Sequence, residues 1–461
     1  MNRIRISGIH YKKIRKHLFP GDYKEAVAIG LCGRSNWKGN TTLVVQEIFL
    51  IPYDKCYERR GDFVHWPTDI IVHLIEKAKK KRLAILKIHC HPGGGEFFSE
   101  TDTDSDIKLF TSIHSWLDDG LPHASCIMLP DGRIFGRFIN QQIEFEQAHQ
   151  ILIAGSTIYN WQYNEENFID ESIQLRNLQT FGKKTISMLS RMKIGIVGCS
   201  GTGSPLIEQL KRFGVGTFVF IDPDFIDKVN LNRIINSSLS DAENKVPKVE
   251  VMKRSIEEAG FGTKVIIFHN HVTDFQVIKE LAECDILFSC PDGAEARHVL
   301  NLISSFYVLP LFDLGVKLNA DGHGGIENIF GSIHYIQPGG SSLLSRKQYN
   351  LQALEAEGIK RTNPQEYEER CRNGYLKEAN ESSPAVISIN MQVAATAVND
   401  FLNRVHPFRN VNNEEVSVIR ILYNELSMFY EYDEKPCPFF SKYVGGGDIK
   451  PLLNLSEIKN D

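Results

Sequence analysis

Two histidines, a serine and an aspartate near the start of the chain have the spacing of a metal centre. They stand as His89-x-His91-Pro92, followed after six residues by Ser99 and after two more by Asp102. Histidines at i and i+2 of a strand point to one face, about 7 Å apart, so both imidazoles can bind one metal ion. Asp102 can supply a third ligand, and three N/O ligands with an open position describe a catalytic zinc site. Ser99 is placed to stabilise a developing oxyanion.

A plainer interpretation of these residues stays open. The His-x-His pattern is common, and Asp102 belongs to a run with Asp104 and Asp106 that could cap a helix and face solvent. The complete spacing, with Pro92 and Ser99 included, is much more specific and favours the metal site.

The whole motif resembles the JAB/MPN (JAMM) metalloproteases, which cleave peptide or isopeptide bonds after the C-terminal glycine of ubiquitin-like proteins. The resemblance covers about residues 1–140 and implies Zn²⁺ as the cofactor. The family places its general base before a strand that ends in glycine. Lys24–Leu31 is similar to that element, which implies Glu25 as the base, with Glu47 as the alternative. Such a base takes a proton from water and passes it to the leaving amine.

A second group of residues could bind a nucleotide. Gly198, Gly201 and Gly203 lie in a turn between an apolar strand, residues 193–197, and an amphipathic helix. This is the context that a phosphate-binding turn requires. Asp222 ends the next strand, where a carboxylate can bind ribose hydroxyls. By themselves these features fit a dehydrogenase nearly as well as an ATP-using enzyme.

Charged residues further along the chain favour an adenylyltransferase. Asn232 and Arg233 close the pattern Asp-x-Asp-x5-Asn-Leu-Asn-Arg, and Lys248 follows it. An enzyme that adenylates a carboxylate must neutralise a triphosphate while pyrophosphate leaves, which hydride transfer does not require. Mg²⁺ binds one or two carboxylates together with phosphates. Asp292, at the carboxyl end of a later strand, is placed to bind it.

This set resembles the ThiF/MoeB/ubiquitin-activating family over about residues 170–405. The resemblance implies that the following residues bind and activate ATP: Gly198, Gly201, Gly203, Asp222, Asn232, Arg233, Lys248 and Asp292. Ser200 stands where the family usually has glycine, a variation that we expect to be tolerated. Arg176 is similar to an upstream arginine that the family often lends across a dimer, so the resemblance also implies a homodimer.

Cys371 is the candidate for a thioester-forming nucleophile. Activating enzymes that pass their cargo onward use a cysteine in a loop before a late helix, and Cys371 precedes such a helix. Arg370 and Arg372 flank it and would increase its thiolate fraction. Cys437 is the alternative, and an inert loop cysteine also stays open. The family's paired CxxC zinc ligands are absent from the sequence, so no structural zinc is expected in this half.

Composition excludes several classes of protein. The chain has 461 residues, of which 42% are hydrophobic and 24% charged, as in soluble globular proteins of two or three domains. A net charge of −5 argues against a dedicated nucleic-acid binder. No apolar run reaches the roughly 18 residues of a membrane span. Nine cysteines without a CxxC pair indicate a reducing, cytoplasmic location.

The predicted fold is an α+β JAB/MPN domain followed by a doubly wound, Rossmann-like α/β adenylation domain. The expected domains are a JAB/MPN zinc isopeptidase-like domain at 1–145, a helical linker at 146–192, a ThiF-like adenylyltransferase domain at 193–405 and, at 406–461, the C-terminal tail of the adenylation domain. Later strands of the parallel sheet are expected at 265–268, 286–289 and 308–311. A polar stretch at 338–380 is expected to be a long loop, and Ala385–Leu402 a helix.

Together these features predict a bifunctional enzyme of the kind found in bacterial ubiquitin-like pathways. One half would adenylate the C-terminus of a Gly-terminated modifier and form a thioester at Cys371, and the other would cleave after the modifier's last glycine. The expected partners are the modifier and a conjugating enzyme. Three alternatives stay open. The first is sulfur-carrier activation, which needs no thioester, the second a scaffold with one inactive half, and the most distant a dehydrogenase.

Overall fold

The chain forms two compact units in this computed structural model, which describes residues 1–163, 169–321, 323, 325–372, 386–433, 435–456 and 458. Unit 1 consists of Met1–Glu165, Ser305–Val308 and Lys442–Asn454. Unit 2 consists of Glu166–Ser304, Leu309–Ser441 and Leu455–Asp461. Unit 1 is therefore assembled from three separate stretches of the chain.

Unit 1 contains a nine-stranded mixed sheet and a separate two-stranded ribbon. Its strands are β1 (Asn2–Ser7), β2 (Val27–Trp37), β3 (Asn40–Leu50), β4 (Glu58–Arg59), β5 (Val64–His65), β6 (Ala84–Cys90), β7 (His123–Met128), β8 (Ile134–Ile139), β9 (Phe145–Gln147), β10 (Gln150–Ala154) and β11 (Ile158–Gln162). Strands β4 and β5 form the ribbon, and the large sheet has the order β11-β10-β1-β3-β2-β6-β7-β8-β9.

Three helices cover the two faces of this sheet. They are α1 (Gly8–Leu18), α2 (Val72–Lys81) and α3 (Glu100–Leu117). Apolar residues of α1, including Ile14 and Leu18, belong to the core on one face. Residues of α2 and α3, such as Leu74 and Phe110, belong to the core on the other face. Every residue of β6 is buried because this central strand lies between the two cores.

The second and third stretches of unit 1 pack onto this sheet through three consecutive glycines. The amide of Gly445 donates to the Ser305 carbonyl at 3.0 Å, and that of Gly447 donates to the Phe306 carbonyl at 2.9 Å. A side chain on Gly445 would collide with the backbone of Val45, and one on Gly447 with the backbone of Arg34. Glycine is therefore required here by the close approach of two backbones.

Unit 2 contains an eight-stranded sheet in the order β14-β13-β12-β15-β16-β17-β18-β19. Its strands are β12 (Lys193–Val197), β13 (Thr217–Ile221), β14 (Lys264–Phe268), β15 (Ile286–Ser289), β16 (Leu311–Ala320), β17 (Ile326–Ile336), β18 (Val418–Leu422) and β19 (Ser427–Glu431). Strands β12 to β16 pair in parallel, and β16 to β19 pair antiparallel. The parallel half is the predicted doubly wound arrangement.

The helices of unit 2 connect and cover these strands. They are α4 (Glu171–Leu189), α5 (Gly203–Arg212), α6 (Leu239–Glu243), α7 (Lys248–Ala259), α8 (Phe275–Ala282), α9 (Ala294–Tyr307), α10 (Leu351–Thr362), α11 (Pro364–Arg372) and α12 (Ile387–Val405). The last residues of α9 belong to unit 1. Among the described helices, none combines the length and apolarity needed to cross a membrane.

Four expectations about secondary structure and domain extent are wrong. The linker at 146–192 contains strands β10 and β11, because Gln150–Ala154 is fully buried and pairs with β1, and only α4 is helical. Residues 351–372 of the expected loop form α10 and α11. Strand β16 begins at Leu311, since Val308 adopts a positive φ in a turn. Residues 442–454, expected in the tail of the adenylation domain, belong to unit 1. Residues 373–385, which include the end of that loop and Ala385, lie outside the described residues.

Candidate functional site

The end of strand β6 and the first turn of α3 bring the predicted metal ligands of unit 1 together. The Nε2 atom of His89 lies 2.9 Å from Oδ1 of Asp102, and Nε2 of His91 lies 3.3 Å from Oδ2 of the same carboxylate. The two imidazole centroids are 5.1 Å apart. All three residues are buried or half-buried. The structure therefore groups the three side chains that the spacing predicts.

Ser99 contacts Asp102 and begins helix α3. Its hydroxyl donates to Oδ2 of Asp102 at 2.7 Å and accepts from the Asp102 amide at 3.1 Å. The Ser99 amide also donates to Oδ2 of Asp102 at 2.8 Å, which completes a capping box, so both residues cap the helix as well as border the site. Burial alone would raise the pKa of Asp102, but His89, His91 and Ser99 hold the pKa below its usual value.

Glu25 lies beside the histidines, immediately before strand β2. Val27 of that strand pairs with His89, which brings Glu25 to the site, and its Oε1 lies 4.0 Å from Nε2 of His91. Glu25 is only 4% exposed, and burial raises its pKa to about 7 against the attraction of His91. A carboxyl group with a pKa near neutrality suits general acid–base chemistry. Glu47, the alternative, pairs with Lys77 instead.

The imidazole nitrogen atoms of this site suit a cation. Among the described residues, Nδ1 of buried His89 has no hydrogen-bond partner, and its Nε2 faces the Asp102 carboxylate at 2.9 Å. The Nδ1 atom of His91 lies 2.8 Å from the Gly95 carbonyl, which favours a proton on Nδ1 and leaves the Nε2 lone pair facing two carboxylates. Asp102 and the Gly95 carbonyl raise the pKa of His91 despite its burial, so the site attracts positive charge. Two histidines and a carboxylate are a donor set for zinc.

Two carboxylates compete for the role of third ligand. Donor atoms of Glu25, His89 and His91 all lie within 4.8 Å of one another. Asp102 lies closer to both imidazoles than Glu25 does. Either carboxylate could therefore complete the donor set, and the other would then be the candidate base.

In unit 2 the glycine-rich turn connects β12 to α5. Gly198 has a φ of 93°, and a Cβ there would lie 2.6 Å from the Cys290 carbonyl oxygen. A side chain on Gly203 would collide with the Gly198 backbone. The turn is tight because Gly198 packs against Cys290, which follows the neighbouring strand β15, and Gly203 packs against Gly198. Its amides precede the helix N-terminus, where anions bind favourably.

Asp222 and Lys248 form a charged pair beside this turn. The Oδ2 atom of Asp222 accepts a hydrogen bond from the Cys199 amide at 2.7 Å. The Nζ atom of Lys248 lies 2.7 Å from Oδ2 of Asp224 and 3.9 Å from Oδ1 of Asp222. Burial raises the pKa of Asp222, and Lys248 opposes that rise. The buried ammonium group is therefore held at the carboxyl end of β13, next to the turn.

Arg233 and Asn232 lie on the other side of the turn. A Cβ on Gly201 would meet Cδ of Arg233 at 3.2 Å and Nδ2 of Asn390 at 2.6 Å. The guanidinium of Arg233 donates to the Val229 carbonyl at 2.7 Å and lies 3.3 Å from the Asn232 side-chain oxygen. The structure thus brings the predicted arginine to the turn. Sequence reasoning missed Asn390, since nothing in the α12 sequence indicates this contact.

Asp292 is exposed in the turn between β15 and α9. Its backbone carbonyl accepts from Arg297 at 3.4 Å, and Arg297 in turn binds Asp313 at 3.0 Å. Glu357 of α10 accepts from the amides of Ala294 and Glu295, both at 2.9 Å, and so caps α9. Glu357 was not predicted, because it belongs to a stretch expected to be a loop.

Cys371 and Arg176 are not grouped with these residues by any contact in the described part of the chain. Cys371 is half-buried in the last turn of α11 and not in a loop. Its neighbour Arg370 pairs with Glu366 and Glu355. Arg176 is exposed on α4, where it contacts Gln179. The alternative nucleophile, Cys437, is buried.

The fold defines an α/β unit with a Rossmann-like parallel half-sheet and a second, α+β unit. The ThiF family model matches residues 172–427, more than half of the chain, so the protein belongs to the ThiF family. The model for prokaryotic homologs of the JAB domain matches residues 9–137. Both resemblances drawn from the sequence motifs, and the predicted fold class, are confirmed.

Curated relatives match only in part. The adenylyltransferase and sulfurtransferase UBA4 of Lodderomyces elongisporus is 26% identical over 182 residues, 35% of this chain and 39% of that protein. The ubiquitin-like modifier-activating enzyme 5 of Culex quinquefasciatus is 25% identical over 179 residues, 36% of this chain and 42% of that protein. The chain thus spans about two fifths of the length of these relatives.

Solved structures show distant likenesses. A crystal structure of E. coli MccB with succinimide has a TM-score of 0.44 at 18% identity, covering 59% of this chain and 74% of that chain.

Proposed function

We propose that the protein is a bifunctional enzyme acting on the C-terminal tail of a ubiquitin-like or sulfur-carrier-like protein. Unit 2 adenylates the tail with ATP and Mg²⁺, and unit 1 hydrolyses the peptide or isopeptide bond after its last glycine. Membership of the ThiF family and the names of the curated relatives support the first activity. The JAB match and the convergence of Glu25, His89, His91 and Asp102 support the second.

In the adenylation half, the tail carboxylate attacks the α-phosphorus of ATP. A bond forms between the carboxylate oxygen and phosphorus, the bond to the β-phosphate bridge breaks, and pyrophosphate leaves. Lys248 and Arg233 neutralise the charge that develops on the phosphates. The amides of the glycine-rich turn bind phosphate oxygens. Asp292 would hold Mg²⁺ through its exposed carboxylate.

The position of Lys248 is the observation that best supports the proposed adenylation activity. Its buried ammonium group lies between Asp222 and Asp224 at the edge of the turn, where it can reach a bound nucleotide. Asp222 and Asn232 then bind the ribose, and Asp222 also accepts a hydrogen bond from the Cys199 amide of the turn. Arg176 would act from the partner subunit of a homodimer.

The adenylate has two possible acceptors. In the first route the Cys371 thiolate attacks the acyl carbon and AMP leaves, which gives a thioester for a conjugating enzyme. In the second route a sulfur donor attacks the adenylate directly, which needs no thioester. One relative is named as an adenylyltransferase and sulfurtransferase, and that name supports the second route.

In the cleavage half, His89, His91 and Asp102 would hold zinc, which would supply Lewis-acid activation of water and of the scissile carbonyl. Glu25 accepts a proton from the attacking water and delivers it to the leaving amine, so that the C–N bond breaks with a neutral product. The Ser99 hydroxyl, which donates to Asp102 in this structure, would turn its proton from that carboxylate to the developing oxyanion.

Pyrophosphate exchange tests the adenylation half. Asp292→Ala should abolish modifier-stimulated exchange between ATP and labelled pyrophosphate, because Mg²⁺ loses its carboxylate. Glu258→Ala, on the exposed face of α7, is the control and should retain full exchange. Unchanged exchange in the Asp292 variant would refute its role.

Zinc content and cleavage together test the other half. The substrates are Gly-Gly-terminated ubiquitin-like proteins that carry a peptide extension. Asp102→Asn should lose both zinc and cleavage, whereas Glu25→Gln should keep zinc and lose cleavage by at least about 100-fold. The reverse pattern of zinc loss would make Glu25 the ligand. Zinc in neither the variants nor the wild type would reject the metalloprotease.

A further inference from the structure

A buried ionic network lies next to the zinc site and takes no part in the chemistry proposed above. The Nζ atom of Lys87 lies 2.7 Å from Oδ1 of Asp106, and Nη2 of Arg137 lies 2.8 Å from Oδ2 of the same carboxylate. Asp106 is 0% exposed, and Lys87 and Arg137 are also buried. Burial raises the pKa of Asp106, but the two cations outweigh it and keep the pKa low. Because buried charges are costly, this network requires an explanation.

The network runs parallel to the metal site. Lys87 and His89 stand two residues apart on β6 and therefore face the same side of the strand. Asp106 and Asp102 stand four residues apart on α3 and therefore share a face of the helix. Two strand residues rise about 6.6 Å and four helix residues about 6 Å, so the spacings match. Strand and helix thus form a ladder of two rungs, the ion pair Lys87–Asp106 and the pair His89–Asp102.

Arg137 fixes the helix side of this ladder. Its guanidinium lies between two aromatic rings, 3.8 Å from the Phe98 centroid and 3.9 Å from the Phe145 centroid. It also donates to the Thr103 hydroxyl at 3.2 Å. Phe98 immediately precedes Ser99, and Thr103 immediately follows Asp102. One side chain therefore restrains both ends of the turn that carries the carboxylate ligand.

We propose that Lys87, Asp106 and Arg137 are positioning residues that set the separation between the histidine strand and the Asp102 turn. This inference rests on the zinc-dependent cleavage proposed above. The ion pair holds β6 and α3 at a fixed distance, so that His89 and Asp102 face each other before the metal binds. Residues that orient ligands in this way change metal affinity or activity by about 10–100-fold when they are replaced.

Stability and positioning can be separated experimentally. Replacing a whole buried ion network by apolar residues of similar size often leaves stability unchanged, whereas removing one partner is strongly destabilising. The test variant is therefore the triple change Lys87→Met, Asp106→Leu and Arg137→Met. The matched control is Arg34→Met with Asp119→Leu, which removes another poorly exposed ion pair of unit 1 outside the ladder.

Zinc affinity by chelator competition and the visible spectrum of the Co²⁺-substituted protein are the main readouts, with kcat and KM for cleavage beside them. The triple variant should melt near the wild-type temperature, bind zinc at least about tenfold more weakly, show an altered Co²⁺ spectrum and lose kcat more than KM rises. The control pair should change none of these. If the triple variant does not fold, the folded fraction of Asp106→Asn, which keeps the shape of the side chain, is judged by zinc affinity and the Co²⁺ spectrum alone.

Wild-type zinc affinity and an unchanged Co²⁺ spectrum in the folded triple variant would overturn the inference. An equal loss in the control pair would also overturn it, because the effect would then be a general loss of rigidity. A wild-type protein that binds zinc but cleaves none of the substrates would refute the cleavage proposal alone, and the zinc readout would still decide the inference. A wild-type protein that binds no zinc would overturn both.

Discussion

Glu25 shows how one buried residue links chemistry to stability. Its carboxyl group is buried beside His91 before β2, and burial raises its pKa to about 7 from an ordinary value of 4.5. A folded-state pKa above the unfolded one means that the folded protein binds this proton more tightly. Ionisation of Glu25 therefore lowers the free energy of unfolding as pH rises from about 4.5, and this decrease is complete above about pH 7.

Because ionised Glu25 destabilises the folded protein, we predict that Glu25→Gln stabilises the metal-free protein in a pH-dependent manner. With a chelator present, the variant should melt at a higher temperature than the wild type at pH 8, and the difference should shrink steadily toward pH 4.5. All four tryptophans lie in unit 1, so their fluorescence reports its melting directly. Glu47→Gln controls for the loss of a carboxylate, and a difference independent of pH would contradict the prediction.

Cys371 carries the second prediction at the level of single residues. With ATP and the modifier, the wild type should form a covalent adduct that reductant releases, and Cys371→Ala should form none while retaining pyrophosphate exchange. Cys56→Ala is the control, since Cys56 is a half-buried cysteine of unit 1. Mass spectrometry of the intact protein measures both. An adduct that persists in the Cys371 variant would move the thioester to another cysteine, Cys437 first.

At the level of elements, the sequence predicted those parts that local rules determine. The turns around His91 and Gly198 were found because each needs specific residues between a strand and a helix. Strand β10 was missed because five buried residues, Gln150–Ala154, have no alternating pattern, and only their pairing with β1 distinguishes them from a helix.

Long-range contacts account for the residues of the sites that the sequence did not reveal. Glu357 and Asn390 approach their partners from α10 and α12, far along the chain. The partnership of Lys87 with Asp106 depends on the packing of α3 against β6. No spacing rule connects such positions, because their proximity is created by the tertiary fold.

The glycine-rich turn of unit 2 gives a prediction for an element. Gly203→Ala should abolish ATP binding and lower the melting temperature, because the added methyl group collides with the Gly198 backbone and must open the turn. Gly260→Ala is the control, since Gly260 has a φ of 69° and open space around it. It should cost only about 1–2 kcal/mol of backbone strain and leave ATP binding intact. Isothermal titration with ATP and thermal melts measure these effects, and equal effects of both changes would refute the prediction.

At the level of the whole molecule, unit 1 depends on distant parts of the chain. Asp448 accepts from the Asn36 amide at 2.9 Å and from the Tyr307 hydroxyl at 2.9 Å. Arg5 is fully buried and donates to the Tyr307 carbonyl at 3.1 Å. Segments 305–308 and 442–454 therefore pack against the sheet and provide hydrogen-bond partners for Asn36 and Arg5.

We predict that Gly445→Ala unfolds unit 1 at a lower temperature than the wild type, by several degrees, because the methyl group must displace the Val45 backbone. Gly39→Ala is a matched control, with a φ of 79° against 72° at Gly445 and nothing within 4 Å. Tryptophan fluorescence during thermal unfolding measures both variants. If the two melt alike, the close packing of the glycine segment contributes nothing beyond its backbone conformation.

The three-part construction of unit 1 has a consequence for how the protein is made. Ribosomes deliver the chain from its amino end, and residues 442–454 emerge long after the strands against which they pack. All nine strands of the histidine-bearing sheet are therefore translated early, whereas unit 1 can complete its packing only after most of unit 2 has been translated.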